Sequence, residues 1–268
     1  MENSKHTDYS VLDRPEVLTA LFHPRPETGT VGGAGAGIDL LIPVEEDIRV
    51  GARFHIEDKA CPNILFFHGN GEIVSDYDDL GPMYQQLGIN FLPVDYRGYG
   101  RSNGEPSVAG MMKDCHTVFT FVREWLQENR HTGPLIVMGR SLGSASALEL
   151  AWTQKSNIDA LIIESGFALA APLLSLLGIN TEAIGFNEEK GFRNINKIHA
   201  FEKPTLIIHA EYDHIIPFSD GQSLYDASPA PDKKLIRIPG ANHNDILFRG
   251  LSDYMNGIQK LIGRLTHA

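Results

Sequence analysis

Five short, almost continuously apolar runs recur along the chain, separated by stretches in which apolar residues follow helical spacing. The runs cover residues 64–67, 91–94, 135–138, 160–163 and 205–208. A continuous apolar run is typical of a strand that is buried on both faces of a parallel sheet. Strands that alternate with helices favour a doubly wound α/β fold with right-handed crossovers. In such a sheet the reactive groups lie on loops beyond the carboxyl ends of the strands.

The sheet is predicted to extend beyond this series at both of its ends. Residues 38–43 and 48–56 alternate apolar and polar side chains, as in a half-exposed antiparallel hairpin. A last run, 235–238, also alternates more than the central ones. Helices are predicted between the runs, at 108–128, 142–153, 217–227 and 245–266, with the clearest helical spacing in the first of them.

The composition is that of one soluble globular domain. Hydrophobic residues make up 42% and charged residues 21% of the 268 residues, which is enough chain for a single large core. The 23 Lys and Arg against 34 Asp and Glu give a net charge of −11. Because phosphate binding requires clustered basic side chains, this balance argues against a nucleic-acid partner. No segment approaches the roughly 18 apolar residues of a membrane-spanning helix.

The cysteines and the first residues bear on the cellular compartment. Cys61 and Cys115 form no CxxC pair, so neither a zinc ribbon nor a dithiol redox site is expected, and two free thiols suit a reducing compartment. The first residues are charged and contain no apolar core of a signal peptide, so a cytoplasmic location is predicted. The glycine-rich segment 32–37 has no strand before it and no helix after it, which predicts a flexible connector.

A Gly-x-Ser-x-Gly pattern occurs twice, and its context separates the two copies. Ser141 follows the apolar run PLIVM and precedes LGSASALELA, a helix start rich in small residues. A sharp turn between strand and helix is the setting of a nucleophilic serine, and its neighbours two residues away must be small. Ser102 lies instead in a loop that glycines and Pro106 interrupt. Ser141 is therefore the predicted nucleophile, and Ser102 is predicted to be a loop residue.

A serine hydroxyl needs a base, and the base needs a carboxylate that orients it. His243 lies in PGANHND, a turn-like segment between the last predicted strand and the last helix. Asp213 directly follows the apolar run TLIIHA. The chain order serine, acid, histidine then predicts His243 as the base and Asp213 as the acid. Glu164, at the end of the run ALIIE, stays open as an alternative acid.

The oxyanion that forms during acyl transfer needs backbone N–H donors. One donor is predicted to be Leu142, the residue after the nucleophile. The other is assigned to Asn70, with Gly71 as the alternative, in the loop FFHGNGE that follows a predicted strand. Glycines there allow the backbone to approach a substrate closely. His68 in the same loop is predicted to have a structural role.

Taken together, these segments resemble the α/β-hydrolase superfamily. HGNG, DYRGYGRSNGEPS, GRSLGS, EYDHIIP and ANHND occur in that family's order, from about residue 38 to the C-terminus. The chain is most similar to the α/β-hydrolase-domain-containing serine hydrolases near the acyl-hydrolase and prolyl-oligopeptidase-like branches. The resemblance implies an eight-stranded, mostly parallel sheet flanked by helices, with only the second strand antiparallel. It also implies a triad of Ser141, Asp213 and His243, and neither a metal nor an organic cofactor.

The domain plan and the function follow from this resemblance. An N-terminal extension over 1–37 is predicted to precede a hydrolase domain over 38–268, in which about 168–203 leaves room for a small lid of two short helices. The expected function is a serine hydrolase that cleaves an ester or thioester of a small to medium acyl substrate through an acyl-enzyme. A peptidase or amidase of the same fold and a non-catalytic binding protein stay open as alternatives. The sequence leaves the oligomeric state unknown.

Overall fold

The computed structural model describes residues 7–28 and 37–266, and the strands in those ranges form one eight-stranded sheet. In chain order the strands are β1 (Ile38–Pro43), β2 (Arg49–Phe54), β3 (Asn63–Phe67), β4 (Asn90–Val94), β5 (Leu135–Arg140), β6 (Ala160–Glu164), β7 (Thr205–Ala210) and β8 (Lys233–Ile238). Across the sheet their order is β1-β2-β4-β3-β5-β6-β7-β8. Strand β2 is antiparallel to both of its neighbours, and all the other neighbouring pairs are parallel. The predicted α/β-hydrolase fold is thereby confirmed.

Helices cover both faces of this sheet. In chain order they are α1 (Pro15–Leu21), α2 (Leu80–Gln86), α3 (Val108–Glu128), α4 (Gly143–Thr153), α5 (Ala170–Leu176), α6 (Asn194–His199), α7 (Phe218–Ala227) and α8 (Ile246–Thr266). Helices α2 and α8 pack on one face, and α3, α4 and α7 pack on the other. Within the described ranges, no helix combines the length and the apolar character that crossing a membrane requires.

Two apolar clusters form the core, one on each side of the sheet. The central strands β3 to β7 are buried along their whole length. In β3, Leu65 and Phe67 belong to the larger cluster, whereas Ile64 and Phe66 belong to the smaller one. This alternation follows from the two-residue period of a strand, and it explains why the central runs contain almost no polar residues.

Most element boundaries differ from the predicted ones by one or two residues. Helix α3 and strand β1 have the bounds that their apolar periodicity predicts. The seven-residue helices α1 and α2 were absent from the prediction. Segment 168–203 contains α5 and α6, which are the two short helices for which it had room. Of the predicted glycine-rich connector 32–37, all but the last residue lies outside the described residues.

Residues 7–28, which were predicted to belong to an N-terminal extension, pack against the rest of the fold. Their buried side chains join the larger apolar cluster, and they are Tyr9, Leu12, Val17, Leu21 and Phe22. The Asp13 carboxylate accepts hydrogen bonds from the backbone N–H groups of Val108 (2.6 Å) and Ala109 (3.3 Å) at the start of α3. These N–H groups have no acceptor within their own helix, because the first turn of a helix leaves its donors free.

Candidate active site

Ser141 lies at a sharp turn between β5 and α4. Its φ of +50° falls in the left-handed region, which side-chain-bearing residues seldom adopt. The turn is close-packed, because a Cβ at Gly139 would lie 2.3 Å from the Gly143 carbonyl oxygen. A Cβ at Gly143 would lie 2.1 Å from the carbonyl oxygen of Phe67. Only glycine fits at both positions, as expected for small neighbours around a nucleophile elbow.

Three of the predicted residues form one continuous chain of contacts. The Ser141 Oγ lies 3.0 Å from His243 Nε2, and His243 Nδ1 lies 2.7 Å from Asp213 Oδ2. These distances allow Nδ1–H to donate to the carboxylate while Nε2 accepts from the serine hydroxyl. His243 and Asp213 are buried, and Ser141 is partly exposed. The loops after β5, β7 and β8 therefore bring together a serine hydroxyl, an imidazole and a carboxylate.

Asp213 is held in place by its own loop as well as by His243. Its Oδ1 accepts backbone hydrogen bonds from Ile215 (3.0 Å) and Ile216 (2.8 Å). Burial raises the pKa of Asp213, but the hydrogen bond and charge of His243, with these two amides, outweigh burial and bring the pKa below its usual value of 3.8. The carboxylate is therefore ionised at neutral pH and fixed toward the imidazole.

Glu164, the alternative acid, has other partners. Its Oε1 accepts from Arg140 at 2.6 Å and its Oε2 accepts from the Tyr254 hydroxyl at 2.6 Å. Both oxygens are thus occupied at the end of β6, and the carboxylate that contacts His243 is that of Asp213.

Arg140 joins three loops beneath Ser141. Its side chain is almost fully buried and donates to Glu72 (2.8 Å), to Glu164 (2.6 Å) and to the backbone carbonyl of His243 (2.9 Å). Glu72 in turn accepts from the Gly69 N–H at 2.6 Å, in the loop that carries the predicted oxyanion donor. Burial raises the pKa of Glu72, but the charge of Arg140 and the hydrogen bond from Tyr77 have the larger, opposite effect. Together they lower the pKa from 4.5 to about 2. The arginine between two glutamates therefore keeps its charge inside the protein.

The predicted oxyanion donors lie beside the serine. Leu142 and Asn70 both line the cavity that contains Ser141. Within residues 7–28 and 37–266, neither of their backbone N–H groups donates to another protein group. The Asn70 side chain is held by the Tyr99 hydroxyl (2.7 Å) and by the backbone N–H of His23 (2.8 Å). Both amides are thus available to an acceptor in the cavity.

Three other polar side chains, those of Ser102, His68 and His209, have structural partners. Ser102 accepts the N–H of Gly51 at 2.8 Å, which makes it part of a loop contact. His68 Nδ1 donates to the Gly69 carbonyl at 2.8 Å, and its Nε2 lies 3.3 Å from Asp95. His209 is a buried strand residue whose Nε2 donates to the carbonyl of Ile216 at 2.8 Å.

The cavity at Ser141, called the catalytic cavity below, has a volume of about 230 Å³. Its apolar lining combines Leu21 of α1 with Leu173 and Leu177 of the segment predicted to be a lid, and its polar lining includes His23 and Glu72. Leu21, His23 and Glu72 were not among the predicted site residues. No local motif marks them, because contacts with residues far along the chain bring them to the site. His23, for example, bonds to Asn70, 47 positions away.

Comparisons with known proteins agree with this architecture. The family model described as serine aminopeptidase, S33, matches residues 58–181. Esterase Pf2001 of Pyrococcus furiosus superimposes with a TM-score of 0.72 at 16% identity, covering 90% of this chain and 98% of the esterase. The chain thus has the α/β-hydrolase fold, and over residues 58–181 it is similar to the S33 family.

Proteins similar to this chain are found in bacteria and vertebrates. YfhR of Escherichia coli K12 is 30% identical over 190 residues, which are 70% of this chain and 65% of YfhR. The matched region thus spans slightly less than two thirds of that relative. Alpha/beta hydrolase domain-containing protein 17B of Xenopus laevis is 29% identical over 220 residues, covering 77% of this chain and 69% of that protein.

Proposed function

We propose that the protein is a serine hydrolase that cleaves carboxylic esters or thioesters through an acyl-enzyme. The observation that carries this proposal is the contact chain from Ser141 to His243 to Asp213, which begins at a strained turn and opens into the catalytic cavity. The esterase names of structural neighbours, such as Pf2001 of Pyrococcus furiosus, are in keeping with it.

The reaction would proceed in two acyl-transfer steps. His243 Nε2 takes the hydroxyl proton as Ser141 Oγ attacks the carbonyl carbon, and the amides of Leu142 and Asn70 bind the oxyanion. His243 then gives the proton to the departing alcohol or thiol. Water attacks the acyl-enzyme with His243 again as base, which releases the acid and restores Ser141. Asp213 keeps Nδ1 protonated and stabilises the imidazolium that forms twice in the cycle.

The cavity favours an ester over a peptide with a free amino terminus. An aminopeptidase needs an anionic group that binds the substrate ammonium. Glu72 is the carboxylate that lines the catalytic cavity, and Arg140, Tyr77 and the Gly69 N–H already bind it. Because Glu72 already has these partners, it is not free to bind a substrate ammonium, and this supports an uncharged acyl substrate.

Two matched serine variants test the proposal with p-nitrophenyl butyrate as substrate. Ser141→Ala is expected to lower kcat by about 10⁴-fold or more, because the nucleophile is removed. Ser102→Ala, in the second Gly-Arg-Ser-x-Gly segment, is expected to retain kcat within about threefold, since that hydroxyl only accepts a loop hydrogen bond. Hydrolysis by Ser141→Ala at the wild-type rate would overturn the proposal, as would an equal loss in both variants.

A further inference from the structure

A second cavity lies next to the catalytic cavity. It has a volume of about 170 Å³, and we call it the outer chamber. Leu173 of the lid helix α5 and Ile215 of the acid loop line both spaces. These two side chains therefore form the wall that separates the outer chamber from the space above Ser141.

The lining of the outer chamber suits a hydrocarbon. It consists mainly of apolar side chains, among them Phe167, Leu169, Pro172, Leu173, Leu176 and Ile215. The one carboxylate in the lining, Asp220, already accepts the backbone N–H of Ala168 at 2.8 Å. Leu169 and Leu176 leave 45% and 57% of their surface exposed, so the chamber has apolar surface without a partner inside the protein.

The wall between the two spaces is tied to the site on one side and to the lid on the other. The backbone N–H of Ile215 donates to Asp213, so the position of Ile215 is set by the triad acid. Leu173 belongs to α5, whose first N–H groups, at Ala170 (3.1 Å) and Ala171 (2.7 Å), donate to Glu188. Leu173 is only half-buried.

The volumes of the two cavities limit the length of the acyl chain that fits. A protein cavity of about 150 Å³ binds benzene, which has six carbons, so the outer chamber accommodates about six carbon atoms. The catalytic cavity must hold the reacting carbonyl and the first carbons of the acyl group. Acetyl and butyryl groups therefore end within the catalytic cavity, whereas a chain of about eight to ten carbons reaches the outer chamber.

We propose that the outer chamber binds the distal half of a medium-length acyl chain, which passes between Leu173 and Ile215 from the carbonyl at Ser141. The substrate is then an ester or thioester of a fatty acid of about eight to ten carbons. This inference rests on the proposed function. Each methylene that leaves water adds up to about fourfold to kcat/KM, so decanoyl esters are preferred over butyryl esters.

Tryptophans at the two exposed leucines of the outer chamber test this assignment. kcat/KM is measured for p-nitrophenyl acetate, butyrate, octanoate and decanoate with the wild type, with Leu169→Trp/Leu176→Trp and with a control. The control is Ile38→Trp/Leu41→Trp on the edge strand β1, where the two side chains are 48% and 53% exposed. It carries two tryptophans on comparably exposed positions remote from the site.

The expected result is a change of chain-length selectivity. The wild type and the β1 control prefer decanoate over butyrate by at least about tenfold. The double tryptophan variant of the outer chamber loses at least about tenfold more kcat/KM on decanoate than on acetate, because the indoles occupy the chamber. The assignment would be overturned if the outer-chamber variant lost kcat/KM equally on all four esters, or if the wild type had its highest kcat/KM on acetate or butyrate. Either result would leave the hydrolase proposal intact.

A binding measurement separates failure of this assignment from failure of the proposed function. Ser141→Ala is titrated calorimetrically with decanoate and with butyrate, with and without the two tryptophans in the outer chamber. Decanoate is expected to bind at least about tenfold more tightly than butyrate, and the tryptophans abolish that difference. If no ester is hydrolysed but decanoate still binds in this way, the hydrolase proposal fails and the chamber assignment stands. Equal binding of the two acids contradicts the chamber assignment, whatever the activity.

Discussion

Arg140 shows how a single buried side chain connects the loops around Ser141. Its guanidinium donates in three directions, to a carboxylate of the oxyanion loop, to a carboxylate at the end of β6 and to the backbone of the base. A planar group with several fixed donors suits this position, whereas a lysine ammonium would not reach all three acceptors. We infer that Arg140 is a positioning residue, and that Glu72 and Glu164 balance its charge.

Glu72 gives this arrangement a pH signature. Its pKa in the folded protein is about 2, below its ordinary value of 4.5, so its ion pair stabilises the fold fully above pH 4.5. This contribution is lost as the pH falls from 4.5 toward 2, because unfolding then takes up a proton. In Glu72→Gln the free energy of unfolding is expected to be lower than in the wild type at pH 7, and the two curves converge below pH 4.5.

Urea unfolding of both proteins between pH 7 and pH 3 checks this expectation. When the free energy of unfolding is plotted against pH, the slopes for the wild type and Glu72→Gln should differ by at most about 1.4 kcal/mol per pH unit. This limit corresponds to the uptake of one proton on unfolding. A difference between wild type and Glu72→Gln that stays constant across this range would show that Glu72 does not titrate on unfolding.

At the scale of elements, the N-terminal segment is a structural part of the site. Helix α1 contributes Leu21 to the catalytic cavity, and the residue His23 beyond it fixes Asn70 through a backbone and a side-chain hydrogen bond. Asp13 connects the same segment to the start of α3. Residues that carry no recognisable motif thus complete one side of the catalytic cavity.

Removing the Asp13 carboxylate tests this connection. Asp13→Ala is expected to lower the free energy of unfolding by about 1–2 kcal/mol, because the first N–H groups of α3 lose their acceptor and a negative charge near the helix N-terminus. Asp8→Ala, in the same segment, removes an exposed carboxylate whose hydrogen-bond partner among the described residues is nearby Ser10, and its effect should stay within about 0.5 kcal/mol. Equal effects in thermal or urea unfolding would contradict the role of Asp13.

The elements differ in how far the sequence predicts them. The buried strands and α3 follow from apolar periodicity, since their environment is set by the sheet itself. Helices α1 and α2 have only seven residues each, which is too short for periodicity to identify, and packing against the domain stabilises them instead. The same limit applies to Leu21 and Glu72, whose places in the site depend on the folded positions of distant segments.

At the scale of the whole molecule, the sheet order brings distant loops to one edge. The loops after β3, β5, β7 and β8 carry Asn70, Ser141, Asp213 and His243, and all four strands run parallel, so their carboxyl ends coincide. Their order along the chain made Ser141, Asp213 and His243 predictable as a set of side chains that lie together. The net charge of −11 plays no part in that geometry, because the buried arginine and glutamates pair with one another.

Mapping the site of covalent modification by a fluorophosphonate tests the central claim most directly. The purified protein is treated with the probe, digested, and analysed by peptide mass spectrometry, with His243→Ala treated in parallel. We expect one adduct, on the peptide that contains Ser141, and at least about a hundredfold slower labelling of His243→Ala, because the base that activates the hydroxyl is missing. The absence of an adduct on the folded wild-type protein, or an adduct on Ser102 in place of Ser141, would contradict the claim.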